Sequence, residues 1–169
     1  MSKLLNVKNL SLEIKSNNKN ILKNINFDIY KSEIVSLIGE SGSGKSLTAL
    51  SIIRLLEKSC KITDGEINYL NKNILLLEEK KMRAIRKNEI SMIFQEPMRS
   101  LNPVMNIYDQ LKESYTVKNT KNIKKEIINN LVSVGISDAE RVISLYPHQL
   151  SAGNFMTKAT AVVATLFII

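Results

Sequence analysis

The chain has 169 residues, which is long enough for one domain with a sizeable buried core. Lys and Arg number 24 against 16 Asp and Glu, so the formal net charge is +8, and 44% of the residues are hydrophobic. These values exclude a disordered or collagen-like chain. Cys60 is the single cysteine, which excludes a disulfide framework and a thiolate zinc cluster. The N-terminal stretch lacks the apolar core of a signal peptide, so a cytosolic location is expected.

The first third of the chain has strand patterns. Short alternating apolar runs predict strands at Leu4–Val7 and Leu10–Ile14, and strict alternation predicts another at Ile25–Tyr30. The continuous apolar run Glu33–Ile38 predicts a strand that is covered on both faces. The apolar spacing of Lys45–Leu56 predicts a helix. Strand and helix thus flank a glycine-rich loop.

The middle of the chain mixes helix and strand signals. Thr63–Gly65 predicts a turn, and Glu66–Leu70 after it predicts a strand. The charged segment Glu78–Lys87 predicts an exposed helix, and Glu89–Phe94 predicts a further strand. Together with the first third, these elements predict an α/β arrangement.

The segment Val104–Leu150 predicts a mainly helical insert. Ile107–Ser114 and Lys121–Val134 have helical spacing, and Gly135 is placed to end the second of these helices. Ser137 is predicted to cap a short helix that follows.

The glycine-rich loop fits the pattern G-x-x-x-x-G-K-[ST] with the residues Gly39, Glu40, Ser41, Gly42, Ser43, Gly44, Lys45 and Ser46. Glycines let successive backbone N–H groups converge on phosphate oxygens, and the N-terminus of the following helix favours the same anion. Lys45 adds an ammonium for the outer phosphates, and the Ser46 hydroxyl suits Mg²⁺. The alternative is a glycine-serine linker, which would match the pattern by chance in on the order of one chain in a hundred. By itself the loop fits small kinases, GTPases and transport ATPases equally well.

Two later motifs separate these classes. Residues 91–104 read SMIFQEPMRSLNPV, and residues 146–153 read YPHQLSAG. With the loop, they resemble the ATP-binding subunits of ABC transporters, specifically the oligopeptide/dipeptide/nickel importer branch, over residues 2–153. The resemblance implies a P-loop NTPase fold of the ABC ATPase type that is incomplete at the C-terminus. It implies a nucleotide-binding α/β core with an antiparallel β subdomain (1–103), a helical subdomain ending in the signature motif (104–153) and a divergent apolar tail (154–169).

The resemblance also implies roles for single residues. Residues 39–46 would hold the phosphates of ATP, Ser46 would contact Mg²⁺, and Gln95 would contact Mg²⁺ or the attacking water. Gln95 would also sense the membrane subunit, although a locally hydrogen-bonded glutamine at a strand end is the alternative for this side chain.

The signature motif has its own implied role and alternatives. Ser151, Ala152 and Gly153 would approach the γ-phosphate bound to a partner ATPase subunit. An ordinary helix cap is the alternative for Ser151. The family pattern places His148 before the signature, as a structural histidine and not a catalytic base.

The family implies ATP and Mg²⁺ as cofactors. It implies membrane subunits and a second ATP-binding subunit, identical or different, as partners. The protein would then lie in the cytoplasm, peripherally on the inner face of the cell membrane. The apolar segment Ala159–Ile169 is shorter than the roughly 20 residues of a membrane span, so no transmembrane span is expected. Lysines scattered among Asn and Glu are typical of a solvated surface, so nucleic-acid binding is not expected.

Three departures from the family pattern bear on activity. Ile14 stands where these ATPases commonly offer an aromatic residue to adenine, and Ala152 replaces a glycine of the signature. No Asp or Glu follows Glu140, and His148 is the sole histidine, so the family's catalytic Asp, Glu and His have no counterparts in these residues. We therefore expect weak nucleotide binding, no unaided hydrolysis and an exposed apolar strand edge. The alternative function is a non-catalytic remnant or a nucleotide-binding interaction module.

Overall fold

The computed structural model describes residues 2–94, 100–115 and 122–150. The chain divides into two compact units, one ending at Ala84 and the other beginning at Ile85. The boundary placed after residue 103 by the sequence resemblance stays a prediction.

The described strands of the first unit form an antiparallel sheet. They are β1 (Lys3–Ile14), β2 (Lys19–Tyr30), β3 (Cys60–Tyr69) and β4 (Lys72–Asn73), in the spatial order β2-β1-β3-β4. Each neighbouring pair is antiparallel. The predicted antiparallel β subdomain is therefore confirmed.

One continuous strand, β1, replaces the two strands predicted at its ends. Asn9 has a φ of 52° at an irregularity where the register with β2 shifts between Val7 and Leu10. The extra residue moves the alternation by one position, so Leu10 and Leu12 are buried although they are out of step with Leu5 and Val7. A bulge therefore explains why the sequence pattern suggested two strands.

Gly65 lies inside β3, so the turn predicted at Thr63–Gly65 is wrong. Its φ is 102°, and a Cβ at this position would lie 2.6 Å from the backbone oxygen of Lys8 on β1. Glycine commonly marks a turn, but here it allows the backbones of β3 and β1 to approach closely at a bulge.

Two predicted strands are absent from the described residues. Ile34 and Ile38 are 97% and 94% exposed, and Glu33–Ile38 has no regular secondary structure, so the strand covered on both faces is wrong. Residues 90–94 of the predicted strand Glu89–Phe94 likewise form no strand. A strand exists only with a ladder partner, and among the described residues neither segment has one. The expected apolar strand edge is therefore not observed either: the apolar side chains are exposed, but the described residues form no strand here to have an edge.

The helices of this part agree with the sequence patterns apart from their ends. Helix α1 (Lys45–Ile52) begins where predicted but ends before Leu56. Arg54 after it has a φ of 53°, and its guanidinium donates to the backbone oxygens of Ile74 and Leu77 at 3.1 and 2.6 Å. These bonds hold the chain leaving α1 against the 3₁₀ turn Ile74–Leu76. Helix α2 (Glu79–Asn88) follows and confirms the predicted charged helix.

The second unit contains α3 (Ile107–Ser114), α4 (Ile123–Ser133), α5 (Ala139–Val142) and a 3₁₀ turn at Pro147–Gln149. Its core consists of apolar residues from α4, α5 and the segments after them, namely Ile123, Ile127, Leu131, Ile136, Ala139 and Ile143. The predicted bounds of α3 are confirmed, and those of α4 agree within two residues. The predicted helical character of this region is therefore observed.

Of two sequence predictions about helix ends in the second unit, one is confirmed and one is wrong. Gly135 has a φ of 85° directly after α4, which confirms it as the end of that helix. Asp138, and not Ser137, is the N-cap position of α5, so the predicted cap is wrong. Helix α5 simply begins one residue later than the serine signal suggested.

Candidate nucleotide-binding site

The glycine-rich loop leads directly into α1. Gly42 and Gly44 have φ values of 80° and 91°, in the left-handed region that side-chain-bearing residues rarely adopt. Between them the Ser43 backbone N–H donates to the Glu40 oxygen at 3.2 Å and closes a turn. The two glycines thus bend the backbone as the motif predicts.

Several backbone N–H groups of the loop have no acceptor among the described residues. Within the described parts of the chain, no group accepts a hydrogen bond from the backbone N–H of Gly42, Gly44, Lys45 or Ser46. The last two belong to the first turn of α1, where N–H groups lack partners inside the helix and the helix dipole is positive. A set of free N–H groups at a helix N-terminus is suited to bind phosphate oxygens.

The ammonium of Lys45 folds back over the loop. Its Nζ donates to the backbone oxygens of Gly39 and Glu40 at 2.7 and 2.6 Å and to Ser43 Oγ at 3.2 Å. These acceptors are neutral, so the positive charge of Lys45 is not cancelled by an ion pair with a described residue. Gly39, Glu40 and Ser43 are exposed, so an anion reaches this ammonium from solvent. The arrangement offers one full positive charge beside the free N–H groups.

Ser46 fits the predicted role in metal binding by its chemistry. Its side chain is exposed, and no described residue makes a hydrogen bond with its hydroxyl. Mg²⁺ is a hard cation that takes oxygen ligands and commonly combines one or two protein oxygens with phosphate oxygens. Among the described residues, no three His, Cys, Asp or Glu side chains form a metal cluster. The Ser46 hydroxyl is therefore an oxygen that this loop offers to a metal ion, and its role as an Mg²⁺ ligand stays a prediction.

The other predicted site residues lie partly outside the described residues. Gln95 and the signature residues Ser151, Ala152 and Gly153 belong to that group, so their roles stay predictions. Ile14 ends β1 opposite Lys19 and Cys60, so neither of its paired neighbours supplies an aromatic ring.

Tyr146 and His148 lie just before the predicted signature motif. His148 is exposed, and its ring stacks on Tyr146 with 5.8 Å between the ring centroids and an angle of 18°. The Tyr146 backbone N–H donates to Gln149 Oε1 at 2.9 Å. The structural role expected for His148 stays a prediction.

Two residues that sequence analysis did not single out contact Gly44. Leu22 of β2 is 2% exposed and occupies the space that a Cβ on Gly44 would take. Thr48, one turn into α1, is buried and donates its Oγ1 to the Gly44 oxygen at 3.0 Å. The position of Thr48 four residues after Gly44 could have indicated this bond, whereas no sequence signal links Leu22 to the loop.

None of the described helices is long and apolar enough to cross a membrane.

Comparison with known proteins identifies the family. The family model described as ABC transporter matches residues 22–166. The chain is 42% identical over 159 residues to the dipeptide transport ATP-binding protein DppD of Bacillus subtilis, which covers 90% of this chain and 48% of that protein. It is 44% identical over 161 residues to the oligopeptide transport ATP-binding protein AppD of the same organism, again covering 90% of this chain and 48% of the relative.

Solved structures agree with the sequence relatives. The ATP-binding cassette MJ0796, in a dimeric post-hydrolysis state bound to ADP and Pi, superposes with a TM-score of 0.75 and 26% identity, over 96% of this chain and 68% of that one. This likeness confirms the predicted P-loop fold of the ABC ATPase type. The chain spans about half the length of the curated relatives named above, at 48% of each. The family match and these relatives show that the chain belongs to the ABC transporter family, among its ATP-binding proteins similar to the dipeptide and oligopeptide import branch.

Proposed function

We propose that this chain is part of the ATP-binding subunit of an ABC importer for peptides, and that it binds the phosphates of ATP–Mg²⁺ at residues 39–46. The observation that carries the proposal is the coincidence of free backbone N–H groups with the Lys45 ammonium at the N-terminus of α1. Both features favour a polyphosphate over an uncharged ligand.

Peptides are proposed as the transported solute because of the relatives. DppD and AppD are described as dipeptide and oligopeptide transport ATP-binding proteins, and both share more than 40% of the aligned residues with this chain. The solved cassette with a similar fold is described as dimeric. A second ATP-binding subunit is therefore a proposed partner. Membership of the ABC transporter family is the basis for proposing membrane subunits as further partners, and docking to them would hold the protein on the inner face of the membrane.

A fluorescent ATP analogue tests the binding step directly. We expect saturable binding that ATP and ADP displace and that adenosine displaces far less, because the described donors address the phosphates. Binding should strengthen when Mg²⁺ is added and weaken when a chelator removes it. Equal displacement by adenosine and ATP, or no saturable binding at all, would refute the proposed site.

Hydrolysis by the 169-residue chain is a separate question. The sequence contains no Asp or Glu after Glu140, so these residues supply no carboxylate after the signature to activate water. For these 169 residues taken alone, we therefore propose nucleotide binding without turnover, which is the alternative function given above. We expect phosphate release at the rate of a no-protein blank, and vigorous Mg²⁺-dependent release would contradict this alternative.

A further inference from the structure

The packing beneath the last loop glycine, Gly44, involves a residue outside the motif. Leu22 lies in β2, opposite Leu12 in the β1–β2 register, and is 2% exposed. A Cβ added to Gly44 would overlap Leu22 Cδ2, so this leucine methyl lies directly against the Gly44 backbone. Leu22 thus joins the sheet to the loop at Gly44, and the Ile21 backbone oxygen beside it would lie 3.7 Å from the same Cβ.

Gly44 is also held from the side of α1. Its oxygen accepts the backbone N–H of Thr48 at 2.8 Å and the Thr48 hydroxyl at 3.0 Å, and Thr48 is 4% exposed. The residue itself is buried and has a φ of 91°. Contact with Leu22 on one side and two hydrogen bonds on the other leave Gly44 little freedom to shift.

The residues fixed in this way are the ones that present donors to a phosphate. The backbone N–H of Gly44 donates to no acceptor among the described residues, and Lys45 and Ser46 follow it directly. A shift of Gly44 would move all three N–H groups together. Misplacement by about 1 Å can cost on the order of 100-fold where a site depends on preorganised geometry.

We propose that Leu22 is a positioning residue for the nucleotide: it supports Gly44 from the sheet and so sets the place of the phosphate-binding N–H groups. This inference rests on the proposed function, because it assigns a residue to the same site. Leu22 touches no phosphate and acts only through the glycine.

If Leu22 only stabilises the sheet, a different experimental result is expected. Leu5 is the matched comparison, because it is a buried leucine of the same sheet, 6% exposed, and it pairs with Ile29 at the other end of the β1–β2 ladder. Leucine-to-alanine changes at both positions remove the same atoms. If Leu22 has only a structural role, both changes lower stability and neither alters the ATP affinity of the folded chain.

The test measures ATP affinity and the midpoint of unfolding for Leu22→Ala and Leu5→Ala in the full 169-residue chain. We expect Leu22→Ala to weaken ATP binding about tenfold or more and Leu5→Ala to weaken it less than about twofold, at comparable losses of stability. Leu22→Val and Leu5→Val repeat the comparison with a smaller deletion, in case the alanine variants fail to fold. For the valine pair we expect a loss of about threefold at position 22 and none at position 5.

The outcomes separate the two proposals. Saturable ATP binding by the unaltered chain with equal affinities in the Leu22 and Leu5 variants would overturn the positioning role and leave the proposed function intact. Absence of ATP binding by the unaltered chain would refute the proposed function, and the positioning role with it. A selective loss in both Leu22 variants supports the proposal.

Discussion

Replacing Lys45 by alanine tests the part of the site that carries a full charge. In the structure its ammonium makes three hydrogen bonds of 2.6 to 3.2 Å, all to neutral oxygens of the loop. A bound nucleotide offers negatively charged oxygens instead, and a pair of opposite charges makes the stronger bond. Lys45→Ala should therefore weaken the binding of ATP far more than it weakens the fold.

The expected loss of ATP affinity in Lys45→Ala follows from the change of hydrogen-bond acceptors, from neutral loop oxygens to charged phosphate oxygens. Hydrogen bonds to charged groups contribute about 1.5–3 kcal/mol net, and each 1.4 kcal/mol changes an affinity about tenfold. If the ammonium gains one such bond to phosphate on binding, its loss weakens ATP affinity by roughly 10- to 150-fold. The stability cost is expected to be about 0.5 kcal/mol or less, because the loop oxygens are exposed to water and alanine is a good helix former.

Competition titrations with a fluorescent ATP analogue measure the ATP affinity of each variant directly. Lys72→Ala is the matched control, since it removes the same charge from an exposed position on β4. We expect Lys72→Ala to leave ATP affinity within about twofold of the unaltered chain, because an exposed charge outside the site is screened. Adenosine affinity should be nearly the same in all three proteins.

Two results would refute the reasoning. Equal ATP affinities of the Lys45 and Lys72 variants would show that the ammonium does not contact phosphate. An equal loss for ATP and adenosine in Lys45→Ala would show that the change disturbs the loop in general. In either case the phosphate-binding assignment of this lysine would be wrong.

Three further predictions concern stability. Leu131→Ala, at a position 1% exposed in the core of the second unit, should lower the free energy of unfolding by about 2–5 kcal/mol in denaturant titrations, whereas Val132→Ala, 52% exposed on the same helix, should change it by less than about 0.5 kcal/mol. Asn106→Ala removes the side chain that accepts a 2.8 Å hydrogen bond from the first turn of α3, and should cost about 1 kcal/mol in the same assay; an unchanged midpoint would contradict this cap. The hydrogen bond from Lys3 lowers the pKa of Asp28 below its ordinary value of 3.8, so the stability from this pair is present at neutral pH and is lost as the pH falls through that lowered pKa. Melting temperatures of Asp28→Asn should therefore fall less steeply on acidification below pH 3.8 than those of the unaltered chain, and parallel curves would contradict the pairing.

Several features of the protein could be read from the sequence because they depend on neighbours along the chain. The helix α3 (Ile107–Ser114) has the predicted bounds, since its cap Asn106 and its apolar spacing are both local. Gly135 ends α4 for the same reason, because a positive φ is a property of the residue itself. The loop motif belongs to this group, and its glycines bend the backbone as their type predicts.

Other features depend on residues far apart in the sequence. The run Glu33–Ile38 has the composition of a buried strand, yet it forms none in the described residues because a strand requires a partner. Asn9 could not be recognised as a bulge, since the register shift is defined only against β2 and β3. The composition of a segment shows which side chains are apolar enough to be buried, and pairing with another strand decides whether the segment becomes a buried strand.

The sequence by itself indicated the family and predicted a phosphate-binding loop with Lys45 as its positively charged residue, since a short motif carries the backbone freedom and the charge that the chemistry needs. Only the tertiary structure decided that the Lys45 ammonium folds onto the oxygens of Gly39 and Glu40, and that Leu22 lies against Gly44. The contact of Leu22 with Gly44 joins a strand to a loop across an intervening segment, and it arises from packing that no local pattern encodes.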